Sequence, residues 1–152
     1  MDLRLRKAEA RDQVAVCSLA TLLVGLEADR RGVFAAVLSN SNHDLIVAEV
    51  ASGVIGFAHL ATGRDFFAND AFGGQLLGLV VREDHRGRGI GRALLGEVCR
   101  LARRRGIREL HINTELDNLP AQRLYKSIGC EVVGVHMEVD LGKSKLDAYH
   151  NP

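Results

Sequence analysis

The 152-residue chain has no tryptophan, only two prolines, three cysteines, and no lysine between Lys7 and Lys126. Each scarcity removes a class of protein. With aromatic residues at 5%, the stacking platforms of a nucleic-acid binder are missing. Cys17, Cys99 and Cys130 lie far apart and form no Cys-x-x-Cys pair. They supply neither a disulfide framework nor a zinc site, so no metal is expected and the setting reads as a reducing cytoplasm. No apolar run approaches the roughly 18 residues that span a bilayer. The charged start, Met1 to Lys7, is not followed by the apolar core of a signal peptide. No membrane partner is expected. Two prolines beside 16 glycines also exclude a low-complexity or collagen-like chain.

What is present suits a single globular domain over residues 1–152, with 47% hydrophobic and 26% charged residues and neither repeats nor a linker. Residues 2–7 alternate Leu3 and Leu5 with Arg4 and Arg6, the period of a half-buried strand. Helical spacing of apolar residues predicts helices over Gln13–Leu26 and Arg31–Leu38. Leu45–Val50 and Val54–Ala61 read as a hairpin, Thr62–Gly74 as a loop, and the apolar run Gln75–Val81 as a central strand. A helix over Ile90–Ala102 closed by Gly106, a strand over Leu110–Thr114 and a helix over Pro120–Ile128 closed by Gly129 follow. One or two strands are expected over Glu131–Leu141, with a loose tail from Gly142. Hairpins mixed with crossovers give an α/β or α+β class with a mixed sheet.

The chemistry concentrates after the central strand. There the chain enters a loop dense in arginine and glycine that opens directly onto an amphipathic helix. Gly87, Gly89 and Gly91 let backbone N–H groups converge, and the helix N-terminus adds about half a positive charge. Arg86, Arg88 and Arg92 bring forked donors suited to phosphate oxygens. Together these make a pyrophosphate cradle. A Walker loop would need a lysine that is not there. The dinucleotide fingerprint fails too, because its third glycine would fall on Arg92 or Leu94.

The pattern Arg86-x-x-Gly89-x-Gly91, followed by Asn118-x-x-Ala121-x-x-x-Tyr125 and then Gly129, resembles the GNAT superfamily of N-acetyltransferases over roughly residues 45–135. The resemblance implies a mostly antiparallel mixed sheet with a splayed strand pair flanked by helices. It implies an acetyl-CoA-dependent transfer of an acetyl group to a primary amine of a small molecule or peptide. Backbone groups along Leu79, Val80 and Val81 would pair with the pantetheine arm, and amides of Arg86, Gly87, Arg88, Gly89, Ile90, Gly91 and Arg92 would take the pyrophosphate. Asn118 would touch the pantetheine or cap its helix.

Acyl transfer to an amine also needs an acid and a base. Tyr125 is the acid that the resemblance supplies, and it borders the coenzyme; packing is its other role. Gln75 stands where some relatives carry a glutamate base. Glu115 is the base named here, with His111, His59 and Asp70 as alternatives and a water chain as another. His59 and His111 sit in expected strands, as core histidines do, whereas His85 falls in a loop expected to be exposed. Asp65 and Asp70 suggest recognition of a cationic acceptor. A homodimer through the final strands is a family habit. A non-catalytic CoA-binding module of the same fold is the alternative function.

The net charge of +1 hides a segregated distribution. Residues 82–108 hold nine arginines and three acids, while all others hold eleven basic and sixteen acidic groups. Arg103, Arg104 and Arg105 read as a solvated helix end that suits the dipole. The near-neutral sum argues against a nucleic-acid partner, not against a nucleotide's phosphates.

Overall fold

The computed structural model describes residues 2–24, 30–64, 72–135 and 137. The chain divides into two units, Met1–Leu116 and Asp117–Pro152. In the first, β1 (Arg4–Lys7) is followed by α1 (Gln13–Val24), α2 (Arg31–Ser39), β2 (His43–Val50), β3 (Gly53–Arg64), β4 (Phe72–Val81), α3 (Ile90–Arg104) and β5 (Leu110–Ile112). The second unit contains α4 (Leu119–Lys126). The strands form a five-stranded sheet in the order β1-β2-β3-β4-β5. Every pairing is antiparallel except β4 with β5, which is parallel. The mixed, mostly antiparallel sheet expected from the resemblance is present, and it is open.

Strand alternation sorts the core onto two faces. Leu45 and Val47 of β2, Phe57 of β3 and Val80 of β4 pack with Val16 and Leu19 of α1 and Phe34 of α2. The opposite face meets α3, which buries Ile90, Leu94, Leu95, Val98 and Ala102 at helical spacing. β3 comes so close to β4 that a Cβ on Gly56 would lie 2.7 Å from the Val80 carbonyl oxygen and 3.3 Å from Leu94 Cδ1. α3 ends as expected: Gly106 adopts φ +74°, its N–H donates to Arg103 O, and Ile107 N–H donates to Ala102 O. That is the paired bonding of a Schellman end, with Ile107 buried behind it.

Four expectations are corrected. The stretch Thr62–Gly74 is not all loop, because Thr62–Arg64 and Phe72–Gly74 continue the β3–β4 ladder. Glycine serves there because a Cβ at Gly74 would press on Ile107 at 3.1 Å. Arg6 does not face solvent as its alternation suggested. Its side chain is 8% exposed and forks onto Asp12 (2.6 and 2.9 Å) and Glu49 (2.9 Å to each oxygen). Arg105 is not a solvated helix end: it bonds Ser41 O and Thr62 Oγ1 and contacts the buried Asp44 at 2.5 Å, which Lys7 also meets at 2.6 Å. Finally, residues 131–135 form no strand. The rest of that expected pair, and the tail from Gly142, lie outside the described residues, as do Leu26, Asp65 and Asp70.

Candidate functional site

β4 outruns its neighbour. It pairs with β5 only at Gly74–Leu76, and from Gly78 to Val81, where β3 still pairs along one edge, no described strand lies along the other. The departure point is marked by a bulge: His59 faces Gly78 and Leu60 faces Leu76, so Leu77 is the extra residue. Bulges recur where a strand stops pairing beside a site. An open edge offers N–H and C=O groups to any extended ligand. Leu79 is half-buried, and the side chains of Val80 and Val81 are buried, leaving their backbone for such a role. The Val81 carbonyl already accepts a hydrogen bond from Arg86 Nε at 3.0 Å.

Beyond β4 the chain makes a short 3-10 turn, Glu83–His85, and then the glycine-rich loop. Gly87 and Gly89 adopt φ +73° and +80°, and a Cβ on either would meet nothing within 4 Å. Gly89 is the residue before α3 and supplies no side-chain cap to the first turn. The first turn of α3 thus has no side-chain cap, at the positive end of a helix that runs for 15 residues. Arg88 and Arg92 are exposed on the same turn. The combination fits a diphosphate: open space at the glycines, uncapped amides and cationic flanks.

Arg82 and His85 brace the loop from the strand side, both bonded to Asp84 Oδ1, at 2.8 and 2.7 Å. Those bonds hold the Asp84 carboxyl down at about 2. The His85 side chain is 14% exposed, so the expectation of an exposed histidine is corrected: its bonds fold it back.

In the first unit, the candidate base His111 is the register partner of Gln75, whose amide cannot take a proton, across the β4–β5 pairing. His111 is exposed, unlike the core histidine expected. Glu115 follows β5 and is exposed. His59 is half-buried and its Nε2 lies 2.8 Å from His43 Nδ1. Burial, reinforced by His43, pushes His59 down to about 4, so it is uncharged at neutral pH. The hairpin turn at Ala51–Ser52 sets the register that brings these two rings together, a signal available in the sequence and not used.

In the second unit, Asn118 caps α4 by accepting the Ala121 N–H at 3.2 Å. Tyr125 is half-buried. Burial, with a smaller effect of Cys130, raises its phenol above the ordinary value, so it stays protonated. Gly129, at φ +92°, closes the helix as expected, with Cys130 N–H donating to Tyr125 O.

In this open mixed sheet β4 runs, with one edge free beyond β5, through a glycine-rich turn into α3. The chain matches the Acetyltransferase (GNAT) family over residues 13–130, and it belongs to that family. No curated protein matches it. Among solved structures, a Trypanosoma brucei acetyltransferase is 24% identical with a TM-score of 0.78, over 92% of this chain and 100% of that one. Glucosamine-6-phosphate N-acetyltransferase from Arabidopsis thaliana is 17% identical with a TM-score of 0.80, over 93% and 99%. An aminoglycoside N-acetyltransferase in complex with CoA is 20% identical with a TM-score of 0.82, over 91% and 94%. At these identities the likeness is one of fold. Among the described residues no helix is long and apolar enough to cross a membrane, and no group of three ligating side chains could hold a metal ion.

Proposed function

We propose that the protein is an acetyl-CoA-dependent N-acetyltransferase that acts on a primary amine of a small molecule or peptide in the cytoplasm. The observation that carries this reading is the continuity of the unpaired β4 edge with the uncapped amides of α3. Amides from Arg86 to Arg92 bind the pyrophosphate, and Leu79–Val81 offer backbone partners to the thioester arm. The amine nitrogen bonds to the acetyl carbon, the carbon–sulfur bond breaks, and one proton passes from the amine to the departing sulfur. Tyr125, protonated through neutral and mildly alkaline pH, donates to that sulfur. Glu115 is the proposed base, and Asn118 adds to its capping role a contact with the coenzyme.

Family membership and fold support acyl transfer in general; the amine acceptor is tested by experiment. Thiol release from acetyl-CoA with a panel of primary amines should be acceptor-dependent and yield the N-acetyl product by mass spectrometry. Tight CoA binding without release for any amine would instead establish a non-catalytic CoA-binding module.

A further inference from the structure

Between α1, α2 and the sheet lies a cavity of about 180 Å³. Its inner wall is Val16, Ala20, Phe34, Leu45 and Phe57, all apolar. Its mouth is apolar as well: Leu23, Val33 and Leu77 are 47%, 63% and 46% exposed. Apolar rims of this kind are left open to water where something docks. No carboxylate appears among its described lining, which instead includes Arg30. His59 is the other polar group, tied to His43.

The cavity reaches the candidate site. Leu77, the bulged residue, and Gly78 line it, and they are the first β4 residues past the last β5 pairing. A Cβ on Gly78 would press on Leu23 Cδ2 at 3.0 Å, so glycine lets Leu23 of α1 pack closely against the strand at that junction.

We propose that this cavity is the acceptor subsite and takes the aliphatic or aromatic group of a small primary monoamine. The inference rests on the acetyl-transfer reading above and narrows its acceptor. A cavity of about 150 Å³ lined by apolar side chains accommodates benzene, so a phenyl group fits. A polycation would have to shed water there with no carboxylate among the described lining residues to receive it, a costly exchange. His59, uncharged at neutral pH, does not repel an amine arriving at the sheet side of the cavity.

Two measurements separate the cavity from the chemistry. 2-Phenylethanol, an uncharged isostere of phenethylamine, is titrated into the full-length protein and followed by amide chemical shifts. Saturable shifts at Ala20, Leu77 and Gly78 are expected, and their loss in Ala20→Phe. Absence of shifts in the wild-type protein overturns the subsite. In turnover, kcat/KM for phenethylamine should exceed that for spermidine at least tenfold; the reverse preference overturns the subsite while leaving acetyl transfer established. Val33→Glu, at an exposed position of the mouth, should cut the phenethylamine preference at least tenfold with acetyl-CoA affinity unchanged, and an intact preference counts against the proposal. Binding of the alcohol with no amine acetylated overturns the transfer reading, and the acceptor role with it.

Discussion

Gly89→Val tests the cradle in a way that separates backbone strain from lost ligand contacts. At φ +80° a side chain costs about 1–2 kcal/mol, and no atom within 4 Å adds a clash. For a chain of this length that is a drop of about 2–8 °C in Tm. The isopropyl group would occupy the open space in front of the α3 amides, where the pyrophosphate is proposed to sit. Hydrogen bonds to a charged group contribute about 1.5–3 kcal/mol each. Losing two of them predicts a fall in acetyl-CoA affinity of about 10²- to 10⁴-fold. Gly106→Val is the matched control: φ +74°, equally open surroundings, the opposite end of the same helix. It should lower Tm by a similar amount and leave affinity within about threefold, a difference under 1 kcal/mol. Isothermal titration calorimetry and thermal unfolding on the three proteins decide the matter. Equal affinity losses in both variants, or normal binding by a folded Gly89→Val, would refute the cradle.

Other perturbations have comparably definite outcomes. Asp12→Asn leaves Glu49 as the one carboxylate on the buried Arg6 guanidinium and should destabilise the fold by about 3 kcal/mol in urea titrations, near the low end for breaking a buried pair. Because Arg6 holds the Asp12 carboxyl below its ordinary 3.8, the wild-type contribution is complete above about pH 4 and fades as pH falls through the depressed folded value. His59 works in a higher window. Its value is about 4 folded against an ordinary 6.5, so the unfolded chain binds the proton first and stability declines as pH drops from 6.5 towards 4. His59→Gln should flatten that part of the urea-midpoint profile, and an unchanged slope would show the imidazole to be well solvated. Tyr125→Phe should lower kcat by about 10- to 10³-fold with acetyl-CoA affinity nearly intact, and an unchanged kcat would remove the phenol from proton transfer.

Short-range patterns carried most of the fold into view. The apolar stripe of α3, the glycine that ends it and the hairpin of β2 and β3 each depend on residues within a few positions of one another. The strand–loop–helix stretch proposed as the cradle is equally local, running from Arg86 to Arg92. Misreadings arose wherever the deciding partner was distant. Arg6 alternates like a solvent-facing residue, yet Glu49 reaches it from 43 positions away. Arg105 looks like the last of three surface arginines until Asp44, on β2, is brought beneath it. Gly73 and Gly74 resemble a loop because glycine has no β preference, whereas packing against Ile107 and pairing with Thr62 and Gly63 make them strand. The cavity proposed for the acceptor was invisible for the same reason: its walls come from two helices and three strands.

The unpaired edge of β4 also bears on how this protein behaves when its ligand is scarce. The segment Leu77–Val81 has no charge and no proline, and on the edge away from β3 it lacks a described neighbour strand. Such an edge is a template for a strand from another molecule, the first step of edge-to-edge aggregation. An extended ligand lying along the same N–H and C=O groups denies them to a second chain. If the coenzyme lies along this edge as proposed, colloidal stability is tied to its supply. The groups that would recognise a substrate are also the ones that must be kept from recognising the protein itself.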